Sequence, residues 1–142
     1  MIVQFKHELL TGKDCFVHDG FIPAMNQFVG ALALFGCSAL IVSSFRTTTV
    51  VPGAIVTPAS HSNHLIGHAI DVNLYDKDGD LWTSKYLIEP KDEILDFINE
   101  VSKYGIRWGG KFSTPDPVHF DDGLNVIHPD MWISLYNSLH AK

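Results

Sequence analysis

Two segments of the chain, residues 90–104 and 129–139, alternate apolar and polar residues with the period of an α-helix. Acidic residues occupy the first turn of the earlier segment, where they suit the helix dipole, and Gly105 follows its last turn. A third helix is predicted over 23–35, a mostly apolar segment with a proline in its first turn and Gly36 after its end. The chain therefore contains three predicted helices.

β-branched and aromatic residues are concentrated in shorter segments that predict strands. These segments are 39–45, 68–74, 106–108 and 118–120. Prolines and a glycine between 47 and 62 predict an irregular loop, and the acidic segment 76–80 predicts a polar turn. That turn begins like a calcium-binding loop, but Leu81 replaces the glycine that such a loop needs, so we expect a solvated hairpin turn.

The order of these elements, helix-strand-strand-helix-strand-strand-helix, predicts an α+β fold. A length of 142 residues suits one domain, and no repeat or linker divides the chain. We therefore expect a single domain over residues 1–142, with a small central antiparallel sheet, helices packed on it and the functional site on one face. Four aromatic residues are expected in the core: Trp82, Phe97, Trp132 and Tyr136.

The charge of the chain argues against a nucleic-acid partner. The formal net charge is −6 with neutral histidines, so no overall positive field attracts nucleic acid or an anionic membrane. The most apolar stretch, 28–42, is shorter than the ~20 residues that a membrane-spanning helix needs. We therefore expect neither nucleic-acid binding nor a membrane span, and we expect a monomer.

The two cysteines, Cys15 and Cys37, lack the spacing of a zinc ribbon or a redox motif. They can pair with each other or stay reduced. Cysteine is among the most buried residue types, and we favour two buried thiols.

The segment from Ser62 to Asp71 carries the first half of a candidate site. His64 lies at the end of the predicted loop, Gly67 allows a sharp turn, and Asp71 follows on the next strand. A spacing of seven residues between His64 and Asp71 does not suit one helix, but it suits a loop followed by a strand. A neutral imidazole and a carboxylate are both ligands of zinc, and the small Ala69 leaves room on the same face.

A second cluster holds Asp116, His119 and Asp121. If the strand 118–120 pairs beside the strand 68–74, His119 completes a site of two histidines and one carboxylate. Asp116 would then face the open coordination position, where a general base can deprotonate the attacking water and pass the proton to a leaving amine.

These two clusters resemble the motifs of the zinc D-alanyl-D-alanine carboxypeptidase and L-alanyl-D-glutamate endopeptidase family, whose fold is shared with hedgehog signalling domains. The residues that match Ser-x-His-x-x-Gly-x-Ala-x-Asp and Asp-x-x-His-Phe are Ser62, His64, Gly67, Ala69, Asp71, Asp116, His119 and Phe120. Trp108-Gly-Gly110 resembles an element of the endopeptidase branch, and Ser44-Phe-Arg46-Thr resembles a strand-end Gly-Tyr-Arg-Ser element. The resemblance spans 41–121, more than half of the chain.

The resemblance implies one zinc ion held by His64, Asp71 and His119, with Asp116 as the general base. It further implies that Arg46 meets the substrate or the developing oxyanion. The implied reaction is hydrolysis of a peptide bond in a peptidoglycan stem peptide.

Ser62 and Trp108 are further candidates for substrate contacts. Ser62 suits a turn or a hydroxyl beside the ligands better than a nucleophile, and Trp108 suits the core and a cleft wall equally. The chain departs from the family pattern at Asp121, where a glutamate is usual, and it lacks the glycine before Arg46. The shorter Asp121 puts any hydrogen bond from it to a ligand or substrate in doubt.

The remaining histidines are less specific signals. Gly67 and the missing glutamate at position 65 argue against a helical His-Glu-x-x-His site, so we expect His61 and His68 in solvent or just outside the metal ligands. The other four are expected at the surface: His7, His18, His128 and His140.

The motifs favour cleavage between L-alanine and D-glutamate over removal of a terminal D-alanine. The first residues lack the pattern of a secretory signal. We therefore expect action on the cell wall, extracellular or periplasmic, after lysis or non-classical export. The sequence is compatible with a phage-type lytic enzyme, with an exported effector and with a domain of a longer chain.

The rival function is a non-catalytic zinc-bearing binding module of the hedgehog type. The presence of Asp116 and Arg46 argues against it.

Overall fold

Six strands form the main sheet of the computed structural model, which describes residues 1–47 and 61–141. The strands of the described chain are β1 (Ile2–Phe5), β2 (Leu10–Gly12), β3 (Cys15–His18), β4 (Ser38–Ser43), β5 (Ala69–Tyr75), β6 (Leu81–Trp82), β7 (Arg107–Trp108) and β8 (His119–Asp121). Its α-helices are α1 (Ile22–Phe35), α2 (Ser84–Leu87), α3 (Asp92–Ser102), α4 (Leu124–Ile127) and α5 (Pro129–Leu139). Single 3₁₀ turns cover Asp19–Phe21, Asn63–Ile66 and Gly109–Lys111.

The order of the main sheet is β2-β4-β5-β8-β7, and β6 pairs with the far end of β5. Its pairs are antiparallel except for β2, which runs parallel to β4. β1 and β3 form a separate antiparallel pair. The predicted α+β class and mainly antiparallel sheet are therefore confirmed.

Helices α1 and α3 cover one face of the sheet, and three phenylalanines join the layers. The ring of Phe28 meets Phe97 at 5.1 Å and Phe120 at 5.3 Å between centroids, both edge to face. This geometry is the one that aromatic quadrupoles favour. Phe120 belongs to β8, and its ring is buried against the helices. The residues on either side of it in β8 therefore point away from the helices.

A second, smaller core lies under α5. Trp132 packs there with Leu65, Ile66 and Leu124, and Tyr136 lies at its edge. The predicted core positions of Phe97 and Trp132 are confirmed, whereas Trp82 and Tyr136 are only partly buried. The indole N–H of Trp82 donates to Asp76 at 3.0 Å, which explains its half-exposed position.

The predicted helices correspond to α1, α3 and α5, and the predicted strands to β4, β5, β7 and β8, with end shifts of one or two residues. The sequence did not predict β1, β2, β3, β6, α2 or α4, which contain two to four residues each. Elements this short contain too few residues for the hydrophobic period of a helix or a strand to be recognised in the sequence. The predicted loop 47–62 lies largely outside the described residues.

The predicted hairpin turn after β5 is confirmed. Asp76 Oδ1 accepts backbone hydrogen bonds from Asp78 at 2.9 Å and Asp80 at 3.0 Å.

Both cysteines are buried free thiols, as expected. Burial raises the pKa of each thiol to about 11, which keeps it protonated and unreactive. None of the helices in the described part of the chain is long and apolar enough to cross a membrane.

Two glycines with nearly equal backbone angles provide a test of the packing around the predicted site. Gly36 (φ 70°) and Gly67 (φ 72°) both adopt the left-handed conformation, which costs an alanine about 1–2 kcal/mol. A Cβ on Gly36 would lie in ordinary contact with Lys77, whereas a Cβ on Gly67 would lie 2.5 Å from the backbone nitrogen of His18.

We expect Gly67→Ala to lower the free energy of unfolding clearly more than Gly36→Ala, because only the former adds a clash with backbone. Urea unfolding of the two metal-free variants beside the wild type measures the difference. Equal losses would show that the N-terminal strands move aside at little cost.

Candidate metal centre

The pairing of β5 with β8 places two of the predicted ligands side by side. In the antiparallel register Asp71 lies opposite His119, and Ala69 lies opposite Asp121. Directly opposite residues point to the same face of a sheet, with Cβ atoms ~5 Å apart. The small side chain of Ala69 leaves space beside Asp121, as the sequence predicted for this face.

The 3₁₀ turn Asn63–Ile66 brings the third ligand to the same place. Ser62 Oγ accepts a hydrogen bond from the backbone N–H of His64 at 3.2 Å and so caps the turn. Gly67 ends the turn in the left-handed conformation. The chain then enters β5, and His64 reaches Asp71 across this bend.

One ligand atom from each of His64, Asp71 and His119 lies within 4.8 Å of the others, and no other such group occurs in residues 1–47 and 61–141. His64 Nε2 lies 3.1 Å from Asp71 Oδ1, and His119 Nδ1 lies 3.2 Å from the same oxygen. The two imidazole rings meet edge to face, with 5.1 Å between centroids. The predicted ligands therefore converge on one point.

The outer nitrogen of each histidine faces a group that can only accept a hydrogen bond. His64 Nδ1–H donates to the carbonyl oxygen of Ser44 at 2.7 Å, and His119 Nε2–H donates to Asp121 Oδ2 at 2.7 Å. A proton is thereby held on each outer nitrogen, and the inner nitrogen, which faces Asp71, is the one that can bind a metal ion. This is the arrangement by which proteins orient histidine ligands of metals.

Charge is concentrated at this point. Burial alone would raise the pKa of Asp71, but the charges and hydrogen bonds of His64 and His119 hold it well below its ordinary value. Burial alone would lower the pKa of His119, but its hydrogen bonds to Asp121 and Asp71 raise it to about 9. A proton thus bridges the ligands when no cation does, and a metal ion would replace it.

The donor set fits a divalent transition metal. Two neutral imidazoles and one carboxylate leave a coordination position open, as catalytic zinc sites do. The described residues can therefore hold such an ion.

Asp116 begins the tight turn that leads into β8. Its N–H donates to Gly109 at 2.8 Å, and its carbonyl accepts the N–H of His119 at 3.1 Å. A Cβ on Gly109 would collide with the Asp116 carbonyl, so the first glycine of Trp-Gly-Gly permits this close approach. Burial raises the pKa of Asp116, and the charge of Asp71 adds to the rise. A raised pKa suits a base, a role that stays a prediction.

Arg46 lies beside the turn that carries His64. Its backbone N–H donates to the carbonyl of His64 at 3.0 Å. Burial lowers the pKa of its guanidinium, while the charges of Asp71 and Asp116 oppose that shift. Its buried Nε has no hydrogen-bond partner among the described residues. A buried donor without a partner is costly, which suits a group that awaits a substrate oxygen.

Ser62 and Trp108 both use their polar groups inside the protein. Ser62 Oγ caps the His64 turn, and its carbonyl accepts the indole N–H of Trp132 at 3.3 Å. Trp108 lies in the main core and donates its own indole N–H to Pro117 at 2.7 Å. These positions fit the turn and core alternatives, and substrate contact by either residue stays a prediction.

Asp121 reaches the ligand His119 despite its short side chain. Sequence reasoning left this bond in doubt because the family usually has glutamate here. Asp121 lies two residues after His119 on the same face of β8 and directly opposite Arg107 of β7. Aspartate is long enough to reach a side chain two residues away on the same face of one strand, as the 2.7 Å contact with His119 Nε2 shows. Burial would raise the pKa of Asp121, but hydrogen bonds from His119 and Arg107 hold it well below its ordinary value.

The expectation of a surface position for His18 is wrong. His68 is buried and lies between two partners, with Nδ1 2.7 Å from Asp122 and Nε2 2.9 Å from His18 Nδ1. His18 is consequently largely covered, and this contact ties β3 to the segment after β8. The sequence could not predict the contacts of His68, because its partners lie 50 and 54 residues away along the chain.

His140 is also partly buried, contrary to expectation. Its ring stacks on Tyr136 at 4.3 Å, and its Nε2–H donates to the carbonyl of Leu65 at 2.6 Å. His7 is partly covered, whereas His61 and His128 are exposed as predicted. None of these side chains belongs to the group that can hold the metal.

Comparison with known proteins agrees with this site. Residues 56–122 match the family described as D-alanyl-D-alanine carboxypeptidase. No curated protein gives a match. Among solved structures the chain is similar to the L-Ala D-Glu endopeptidase ChiX of Serratia marcescens, with 20% identity and a TM-score of 0.48 over 74% of this chain and 79% of that chain. His64, Asp71, Asp116 and His119 all lie inside the matched segment, so the site predicted from the sequence coincides with the part of the chain that is similar to this family.

Proposed function

We propose that this chain is a peptidase that uses one zinc ion, held by His64, Asp71 and His119, to hydrolyse a peptide bond in the stem peptides of peptidoglycan. The family match over residues 56–122 supports the reaction class and the substrate class. The observation that carries the metal is the convergence of three ligand atoms whose histidine protons are held on the outer nitrogens. The inner nitrogens of both histidines face one carboxylate oxygen, as the ligands of a single metal ion do.

The mechanism assigns a separate task to each group. When bound, zinc supplies Lewis acidity to the scissile carbonyl and lowers the pKa of water to about 7. Asp116 takes a proton from the attacking water as the new carbon–oxygen bond forms. The guanidinium of Arg46 donates a hydrogen bond to the oxyanion of the tetrahedral intermediate. Asp116 then returns the proton to the leaving nitrogen as the carbon–nitrogen bond breaks.

The bond that we propose for cleavage joins L-alanine to D-glutamate. This preference rests on the resemblance of Trp108-Gly-Gly110 to the endopeptidase branch of the family. Removal of the terminal D-alanine is the alternative within the same chemistry. The enzyme would meet its substrate at the cell wall.

Digestion of purified peptidoglycan distinguishes these reactions. We expect the zinc-loaded protein to release peptides that begin with D-glutamate, detected by mass spectrometry, and a chelator to stop their release. Free D-alanine as the sole product would establish the carboxypeptidase instead. Metal binding without any cleavage would support the zinc-bearing binding module, which the sequence left open as the rival.

His119→Ala is expected to lose metal and activity together, because two ligands cannot hold zinc as tightly as three. Zinc content after gel filtration and release of new amino groups from peptidoglycan measure the two losses. His128→Ala changes an exposed histidine outside the site and is the matched control. Retention of one zinc per chain by His119→Ala would contradict the ligand assignment.

Asp116→Asn is expected to keep its zinc and lose turnover by about 10²- to 10⁴-fold, the usual contribution of a general base. The measurements are zinc content and the rate of peptide release at saturating substrate. Asp96→Asn, on the exposed face of α3, removes the same charge elsewhere. Full activity of Asp116→Asn would remove Asp116 from the mechanism.

A further inference from the structure

One set of hydrogen bonds connects the two chain segments that carry His64 and His119. Its centre is Arg107 on β7, whose Nε and Nη2 donate to the two oxygens of Asp121 at 2.7 and 2.8 Å. The same Nη2 also donates to Asn125 Oδ1 at 3.2 Å. Arg107 therefore joins the carboxylate behind His119 to a side chain of α4.

Asn125 continues the connection to the other ligand. Asn63 Nδ2 donates to Asn125 Oδ1 at 3.0 Å, and the backbone N–H of Asn125 donates to Asn63 Oδ1 at 3.1 Å. Asn125 Nδ2 also donates to the carbonyl of His61 at 3.0 Å. Asn63 directly precedes His64 and is only 1% exposed. The amide pair thus holds the turn on both sides of Ser62.

The carboxylate of Asp121 is fully engaged by this arrangement. Oδ1 accepts from Arg107 and Gly123, and Oδ2 accepts from Arg107 and His119. The side chain of Asp121 is 2% exposed, whereas that of Arg107 is 34% exposed. An ion pair with one buried partner and two parallel hydrogen bonds is geometrically defined, unlike an ordinary surface pair.

A stacked ring supports the same geometry from the side. The guanidinium of Arg107 lies 4.9 Å from the centroid of Phe112, and the Phe112 ring lies 5.5 Å from the ring of His119. Arg107 therefore contacts two side chains, Asp121 and Phe112, that both meet the ring of His119.

We propose that Asn63, Arg107, Asp121 and Asn125 form a ligand brace that sets the distance and angle between the imidazoles of His64 and His119. Arg107 and Asn125 are positioning residues, since neither is a metal ligand and each acts through a neighbour of a ligand. This inference rests on the proposed zinc site but not on the peptidase reaction.

The role requires the shape of arginine as well as its charge. The planar guanidinium holds Asp121 with two donors and keeps a third contact to Asn125, which a lysine ammonium cannot reproduce. Arg107→Lys therefore separates geometry from charge. Asn125→Ala removes the side-chain contacts with Asn63, Arg107 and the carbonyl of His61. It leaves the Arg107–Asp121 ion pair and the backbone hydrogen bond to Asn63 in place.

The test measures binding of zinc alone to the metal-free full chain by competition with a chromophoric chelator. We expect Arg107→Lys and Asn125→Ala each to weaken zinc binding by about 10- to 100-fold, the usual effect of losing a partner behind a ligand. The double variant should lose less than the product of the two factors, because both residues belong to one network. The visible absorption of bound Co²⁺ should change in Arg107→Lys, since ligand angles set that spectrum.

Two controls separate the brace from general effects. Lys103→Gln removes a positive charge and an exposed ion pair with Glu100, and Asn137→Ala removes an exposed amide on α5. Both should bind zinc as the wild type does. Urea unfolding of the metal-free variants determines the folded fraction, so that affinity is compared per folded molecule.

Wild-type zinc affinity and an unchanged Co²⁺ spectrum in Arg107→Lys would overturn the proposal. An equal loss in Lys103→Gln would overturn it too, because charge alone would then explain the effect. If Arg107→Lys does not fold, Asn125→Ala decides by the same criterion. A wild-type protein that binds zinc but cleaves no peptide would refute the proposed function and leave the brace intact.

Discussion

The antiparallel pairing of β5 with β8 is the constraint on which the rest of the site depends. It places Asp71 opposite His119, on the face that the helices do not cover. A slip of one residue would turn His119 into the core and expose Phe120. The register is held from the other side, where Phe120, Ile70 and Val72 are almost completely buried. The hydrophobic core thus fixes a polar geometry that polar groups alone would not maintain.

Groups that can only accept hydrogen bonds complete this geometry. The carbonyl of Ser44 and the carboxylate of Asp121 hold the protons of the two histidines on their outer nitrogens. The inner nitrogens of both rings then face Asp71, and neither ring needs to rotate for a metal ion to bind there. Because Ser44 directly follows β4 and Asp121 ends β8, the orientation of both predicted ligands depends on the strands of the sheet.

The turn that carries His64 is the least regular part of the site and is supported from several directions. Gly67 touches β3, α5 packs against the turn, and Asn63 pairs with Asn125. The contact of His68 with His18 and Asp122 lies just beyond the turn. Short segments far apart in the chain therefore share the task of placing one predicted ligand.

Local patterns in the sequence were sufficient to predict α1, α3, α5 and the strands β4, β5, β7 and β8. The periods of helices and strands depend on residues that are close together in the chain. The spacing of His64, Asp71 and His119 and the family resemblance were sufficient to predict a group of side chains that the structure brings together. The tertiary structure alone decided the partners of these residues. Arg107 meets Asp121 and Asn125, and His68 meets His18, only because strands and turns distant in sequence come together. Two to four-residue strands gain stability from the neighbour they pair with, and no local pattern in the sequence contains that neighbour.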